Sequence, residues 1–203
     1  MKWIIVAVLT LLCPVMATAQ TLPALYSVAG VDEDDVLNIR AEPRPSAFAI
    51  ESYAWDARDI EVVALDPTGK WGQININETT GWIAMNWLEP QFSAGNSLLP
   101  RPLVCFGNEP FWTLDIGNTP FAELGWLDGV TIRFSGLYTI SSASRTGRYM
   151  VIAENTDKSL HAFVERKACN DGMSDRAYGL DMNLLIRNGD DTKYFAGCCS
   201  VAP

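Results

Sequence analysis

The residues of this chain best suited to chemistry fall in two short stretches. Ala168 to Gly179 reads ACNDGMSDRAYG and gathers Cys169, Asp171, Ser174 and Asp175. Cys105 to Trp112 reads CFGNEPFW and adds Glu109. If the two stretches met in space, Glu109 with Asp171 or Asp175 would supply the acid and base of a two-carboxylate hydrolase. Turn chemistry explains the same residues more simply. Asp171-Gly172 is a turn dipeptide whose glycine is free to take φ > 0. Ser174 and Asp175 can cap a short helical turn or bond the loop backbone. Glu109-Pro110 forces extended backbone ahead of FWTLDI. Calcium takes about six to eight oxygen ligands, more than Asp171, Ser174 and Asp175 supply, and the EF-hand spacing is missing.

Other catalytic sets fare no better. The single histidine, His161, lies in SLHAFVER, where alternation makes it a strand residue sharing a face with Phe163. A zinc hydrolase ordinarily needs more than one histidine ligand. A cysteine peptidase needs a thiolate beside a histidine, and Cys169 stands in no such sequence context. The G-x-S-x-G element of serine hydrolases is absent. No catalytic set, metal or cofactor is therefore predicted.

The N-terminus points to export. Lys2 precedes an apolar run, WIIVAVLTLL, and Ala17-Thr18-Ala19 has the small-x-small form of a signal-peptidase site. Residues 1–19 read as a signal peptide, with the mature chain beginning at Gln20. Pro14 interrupts the run too early for a membrane span. Leu12 ahead of Cys13 argues against lipid attachment there. The expected location is periplasmic or secreted. Lys and Arg total 15 against 24 Asp and Glu, a formal charge of -9, which speaks against nucleic acid and anionic membranes as partners.

Beyond the leader, Cys105, Cys169, Cys198 and Cys199 remain, an even set that reads as two disulfides in an exported chain. Adjacent Cys198 and Cys199 are too close to bridge without strain, and strand neighbours face opposite ways. One of them should therefore join Cys105 and the other Cys169. No C-x-x-C motif suggests a redox role.

Both halves of the mature chain read as all-β. Residues 20–92 hold no cysteine and form a first domain, 93–102 a Ser, Gly and Pro-rich linker, and 103–203 a second domain. In the first, VLNIR, IEVVAL, WGQINI and GWI suggest about five short strands and a small barrel. In the second, strands are expected over 111–116, 130–134, 149–153, 160–164, 180–186 and 194–198, with one possible helical turn over 175–180. That pattern suggests an antiparallel β-barrel or sandwich with two disulfides.

LNIRAEP, the Lys70-Trp71 strand and TGWIAMNWLEP together resemble a bacterial SH3-like (SH3b) domain over roughly residues 25–90. The resemblance implies a shallow aromatic groove that recognises cell-wall peptides or protein partners. Ala47 to Asp59 departs from the family pattern by carrying Phe48, Tyr53 and Trp55. Tyr53 and Trp55 are therefore expected as exposed contacts. Trp71 and Trp82 are also candidates, although strands of a small barrel first suggest a core role for them. CFGNEPFW, CNDGMSDRAYG and the late GCC resemble a family of uncharacterised bacterial envelope proteins and lipoproteins that has no established activity. The function expected is non-enzymatic binding to peptidoglycan or an envelope protein. A hydrolase using Glu109 with Asp171 or Asp175, and a C-terminal barrel that binds a small apolar ligand, are the alternatives.

Overall fold

The computed structural model describes residues 21–91 and 99–201. The leader with Cys13, the Gln20 start and residues 93–98 of the linker lie outside the described residues. Among those described, no helix is long and apolar enough to cross a membrane.

The first unit folds into two small antiparallel sheets. Strand β1 (Ala24–Val28) sits between β4 (Ile60–Val62) and β8 (Leu88–Pro90). The other strands, β2 (Val36–Arg40), β3 (Ala49–Ala54), β5 (Ala64–Leu65), β6 (Trp71–Ile76) and β7 (Thr79–Ala84), form a sheet ordered β3-β2-β7-β6-β5. Ile39, Ile60, Val62, Ile74 and Ile83 meet in the core between the sheets. The predicted IEVVAL strand is split at Val63, so that each half joins a different sheet. β1, β3 and β8 were not expected, and β3 lies inside the segment that departs from the SH3b pattern.

Asp66-Pro67-Thr68-Gly69 turns the chain into β6, as its residue types suggest. Asp66 accepts hydrogen bonds from the Thr68 hydroxyl at 2.6 Å and from the backbone N–H groups of Thr68, Lys70 and Trp71. The Thr68 hydroxyl bond leads in holding this carboxyl below its usual range, against the opposing effect of burial.

Alternation corrects the core role first read for Trp71 and Trp82. In β6 the buried positions are Gly72 and Ile74, and in β7 they are Gly81 and Ile83. Trp71 and Trp82 therefore fall on the opposite, outer face, half-buried. Tyr53 is corrected the other way. It pairs with Leu37 across β2 and β3 and packs against the core cluster, and burial pushes its phenol up.

The second unit is an eight-stranded closed barrel rather than a sandwich. Its strands are β9 (Leu103–Asn108), β10 (Phe111–Ile116), β11 (Ala122–Trp126), β12 (Thr131–Ser141), β13 (Arg148–Glu154), β14 (Lys158–Cys169), β15 (Tyr178–Asn188) and β16 (Asp191–Val201). Each pairs antiparallel with the next, and β16 returns to β9. Period-two alternation turns Trp112, Leu114 and Ile116 of β10 inward, where they join Leu124, Phe134, Leu160, Met182 and Leu184 from other strands of the barrel. His161 faces outward beside Phe163.

Two disulfides form in the expected arrangement, and the structure assigns the partners that the sequence left open. Cys105–Cys199 crosses β9 and β16 inside the barrel, while Cys169–Cys198 lies on the other face of β16. Next to the inner bridge, Trp112 occupies space that two glycines leave open. A Cβ at Gly107 would stand 2.3 Å from the indole Nε1, and one at Gly197 would stand 2.0 Å from the Phe106 carbonyl oxygen. The helical turn expected over 175–180 does not form. The backbone bends to Ala177 and enters β15 at Tyr178, because side chains of the loop take its N–H groups instead.

The two units dock through that loop. Asn75 exchanges two hydrogen bonds with the Ala177 backbone, at 2.8 and 2.9 Å, and the Asp175 N–H donates to the Glu78 carbonyl at 3.0 Å. Glu61 accepts the Val201 N–H at 2.7 Å. Arg166 donates to the carbonyls of Thr21 and Pro23.

Candidate functional site

An open groove of about 810 Å³ runs over the first unit between Trp71 and Trp87, with Met85 in its wall. Its position follows from local structure. β7 ends at Ala84 and a 3₁₀ turn, Met85–Trp87, swings the next tryptophan out of the strand register. The Ala29 N–H donates to the Trp87 carbonyl at 2.9 Å, and the ring lies against Gly30, where an added Cβ would come within 3.5 Å. Trp87 is 40% exposed.

The rim carries both charges. Arg40 is steadied by donating to the Ala47 carbonyl at 2.8 Å, and Asp35 accepts the Val36 N–H at 2.7 Å. The Lys70 ammonium has no hydrogen bond or ion pair among the described residues. Aromatic walls with charges of both signs at the edge suit an extended peptide, whose side chains pack while its polar groups pair at the rim. Of the candidates named from sequence, Trp71 lines this groove. Trp82 sits on the same outer face of β7, opposite Gln73 of β6. Trp55 is 40% exposed and lines a neighbouring pocket, while Tyr53 is turned into the core.

The stretches around residues 109 and 171 do meet, but not as a carboxylate pair. Asn108 donates its side-chain N–H to the Asp171 carbonyl, Phe106 packs edge-on against Tyr178 with ring centroids 5.0 Å apart, and Cys169 is bonded to Cys198. The Asp171 carboxylate accepts from the backbone N–H groups of Met173 and Ser174, from the Ser174 hydroxyl at 2.8 Å and from the Tyr178 hydroxyl at 3.3 Å. Burial acts to raise its pKa, but the hydrogen bonds, led by those from the Ser174 and Met173 N–H groups, hold it below the usual carboxylate range. Glu109 and Asp175 are exposed. Asp171 and Ser174 organise the loop, with Asn170 accepting the Gly172 N–H at 2.7 Å. Asp175 contributes through its backbone to the seam with the first unit. Among the described residues no group of three His, Cys, Asp or Glu is placed to hold a metal ion.

Sequence reasoning missed Met85, Trp87 and Arg40 as groove residues, Asn108 as the link between the two stretches, and Glu61 at the seam. Trp87 carried a readable sign. It follows the last predicted strand of the unit in MNWLEP, where no alternation assigns it to the core. Glu61 carried none, since its partners lie 140 positions away. Comparison with protein-family models, curated proteins and solved structures returns no match to this chain.

Proposed function

We propose that this chain is an exported, non-enzymatic envelope protein whose N-terminal SH3-like module holds an extended peptide of peptidoglycan or of an envelope protein. The observation that carries this reading is the groove between Trp71 and Trp87, with Arg40, Lys70 and Asp35 at its rim. The two disulfides fit an oxidising compartment such as the periplasm. Stem peptides of peptidoglycan carry carboxylates and amines, which the mixed rim complements. Hydrolysis by Glu109 with Asp171 or Asp175 is less well supported, because Asp171 already accepts four hydrogen bonds within its own loop. Large side chains inside the barrel likewise favour a scaffold over an apolar-ligand carrier.

The test is retention on purified peptidoglycan sacculi, combined with crosslinking in intact cells. The wild-type chain should be retained or crosslinked to an envelope protein, and Trp87→Ala should lower the signal about tenfold, as loss of an aromatic anchor does. A wild-type chain with neither retention nor a crosslinked partner would overturn the reading, as would a Trp87→Ala variant that binds as well as wild type.

A further inference from the structure

A second pocket, of about 400 Å³, opens beside the groove and shares Gly30 and Val31 with it. Trp55, Asp56, Arg58, Glu89 and Ser27 line it. We infer that this pocket is a carbohydrate subsite that takes a neutral N-acetylated amino sugar. The inference rests on the neighbouring groove being a peptide site, because a sugar bearing a peptide substituent would straddle the shared wall.

The lining matches a sugar ring group by group. A pyranose presents an apolar face of C–H bonds and an edge of hydroxyls. Trp55, just beyond the end of β3, is 40% exposed and so has an indole surface open to pack against such a face. Asp56 and Glu89 are acceptors and Arg58 is a donor, matching hydroxyls and an acetamido carbonyl. None of these three side chains forms an ion pair or hydrogen bond among the described residues, although both signs share one pocket. The Ser27 hydroxyl oxygen already accepts from Gln91 Nε2 at 2.8 Å, which leaves its proton free to donate outward. The frame is fixed from behind, with the Val28 N–H bonded to the Ala57 carbonyl at 2.8 Å.

Charge narrows the ligand class. An ammonium group would meet Arg58, and an anion would meet Asp56 and Glu89. A neutral, hydroxyl-rich molecule satisfies all three without opposing any. The volume falls within the ~300–1,000 Å³ of small-molecule sites.

The test uses the mature chain with both disulfides intact and two probes: the soluble tetramer of N-acetylglucosamine, which has no peptide, and purified sacculi. The wild type should bind the tetramer. Trp55→Ala should weaken that binding about tenfold, the loss expected for one aromatic contact. Glu89→Gln, at an exposed position of β8, should weaken it several-fold. Trp87→Ala, whose ring backs the shared Gly30 wall, should reduce retention on sacculi more than it reduces tetramer binding. Failure of the wild type to bind the tetramer, or equal binding by Trp55→Ala and Glu89→Gln, overturns the sugar subsite. The groove reading then still stands if Trp87→Ala loses sacculi. Tetramer binding that depends on Trp55, with sacculus retention indifferent to Trp87, supports the subsite and removes the groove.

Discussion

The C-terminal barrel closes on itself through the β16–β9 pairing, whereas the N-terminal unit stops at sheet edges, with β3 at the end of its larger sheet. The tryptophans follow that difference. In the barrel Trp112 is 2% exposed and Trp126 half-buried against the core, while Trp55 and Trp87 of the first unit are exposed and Trp71 and Trp82 half-buried. A closed eight-stranded barrel has an inside wide enough for large rings. Two short sheets enclose only a thin layer of aliphatic side chains and leave bulkier ones outside. The contrast is one of tryptophans: the barrel keeps both of its own in or against its core, although it exposes Phe111, Tyr138 and Tyr194, while the first unit leaves Trp55 and Trp87 on its surface.

Removing the cysteine pairs is the harshest way to break that comparison. Cys105→Ala/Cys199→Ala should destabilise the barrel by about 2–5 kcal/mol. Cys169→Ala/Cys198→Ala should cost less, because it closes 29 residues rather than 94. Denaturant unfolding of the two double variants measures the difference. If the outer bridge cost more, the barrel's stability would reside in its docked loop rather than in its closed interior.

The seam where the two units meet gives the next largest effect. Burial pushes Glu61 up from 4.5 to about 7, against the opposing pull of the Val201 N–H, the Ser200 hydroxyl and the Arg176 guanidinium. Docked Glu61 binds its proton more tightly than free Glu61 does. Docking is therefore strongest below about pH 4.5, weakens as pH rises towards 7 and levels off above it. The span is roughly 3 kcal/mol at most. Glu61→Gln stays neutral and should flatten this slope. Hydrogen exchange at the Val201 amide from acid to neutral pH reads it, and an unchanged slope in the variant would detach Glu61 from the docking of the two regions.

What the sequence disclosed divides along the same line. VLNIR, WGQINI and FWTLDI were legible because alternation is local. That Cys198 and Cys199 take separate partners was legible because neighbours in a strand face opposite ways, but which of them joins Cys105 was not. β9 was missed because CFGN looked like a motif of chemistry, when its Cys105 and Gly107 are inward positions of a strand. Trp71 and Trp82 were misplaced because size suggested core, while Gly72 and Gly81 occupied the inward positions beside them. The groove needed Trp87 and Trp71 brought together by a 3₁₀ turn, and the seam needed Asn75 matched to Ala177 across 102 positions. Neither relation has a local period to read.

The smallest effect is expected at Asp171, and it sharpens the contrast most. Its carboxylate is held below the usual range, so its contribution is present above the unfolded pKa and fades as pH falls through the folded one. That is the opposite sense to Glu61, although the two residues serve the same seam from opposite units. Asp171→Ala should cost about 1 kcal/mol, the size of a lost cap, because Cys169–Cys198 still anchors the loop. Its loss should also flatten the acid limb of stability while leaving the neutral slope to Glu61. Urea titrations from acid to neutral pH on the two variants separate the limbs. A loss of several kcal/mol in Asp171→Ala would mean that the loop, rather than the closed barrel beneath it, keeps the second unit folded.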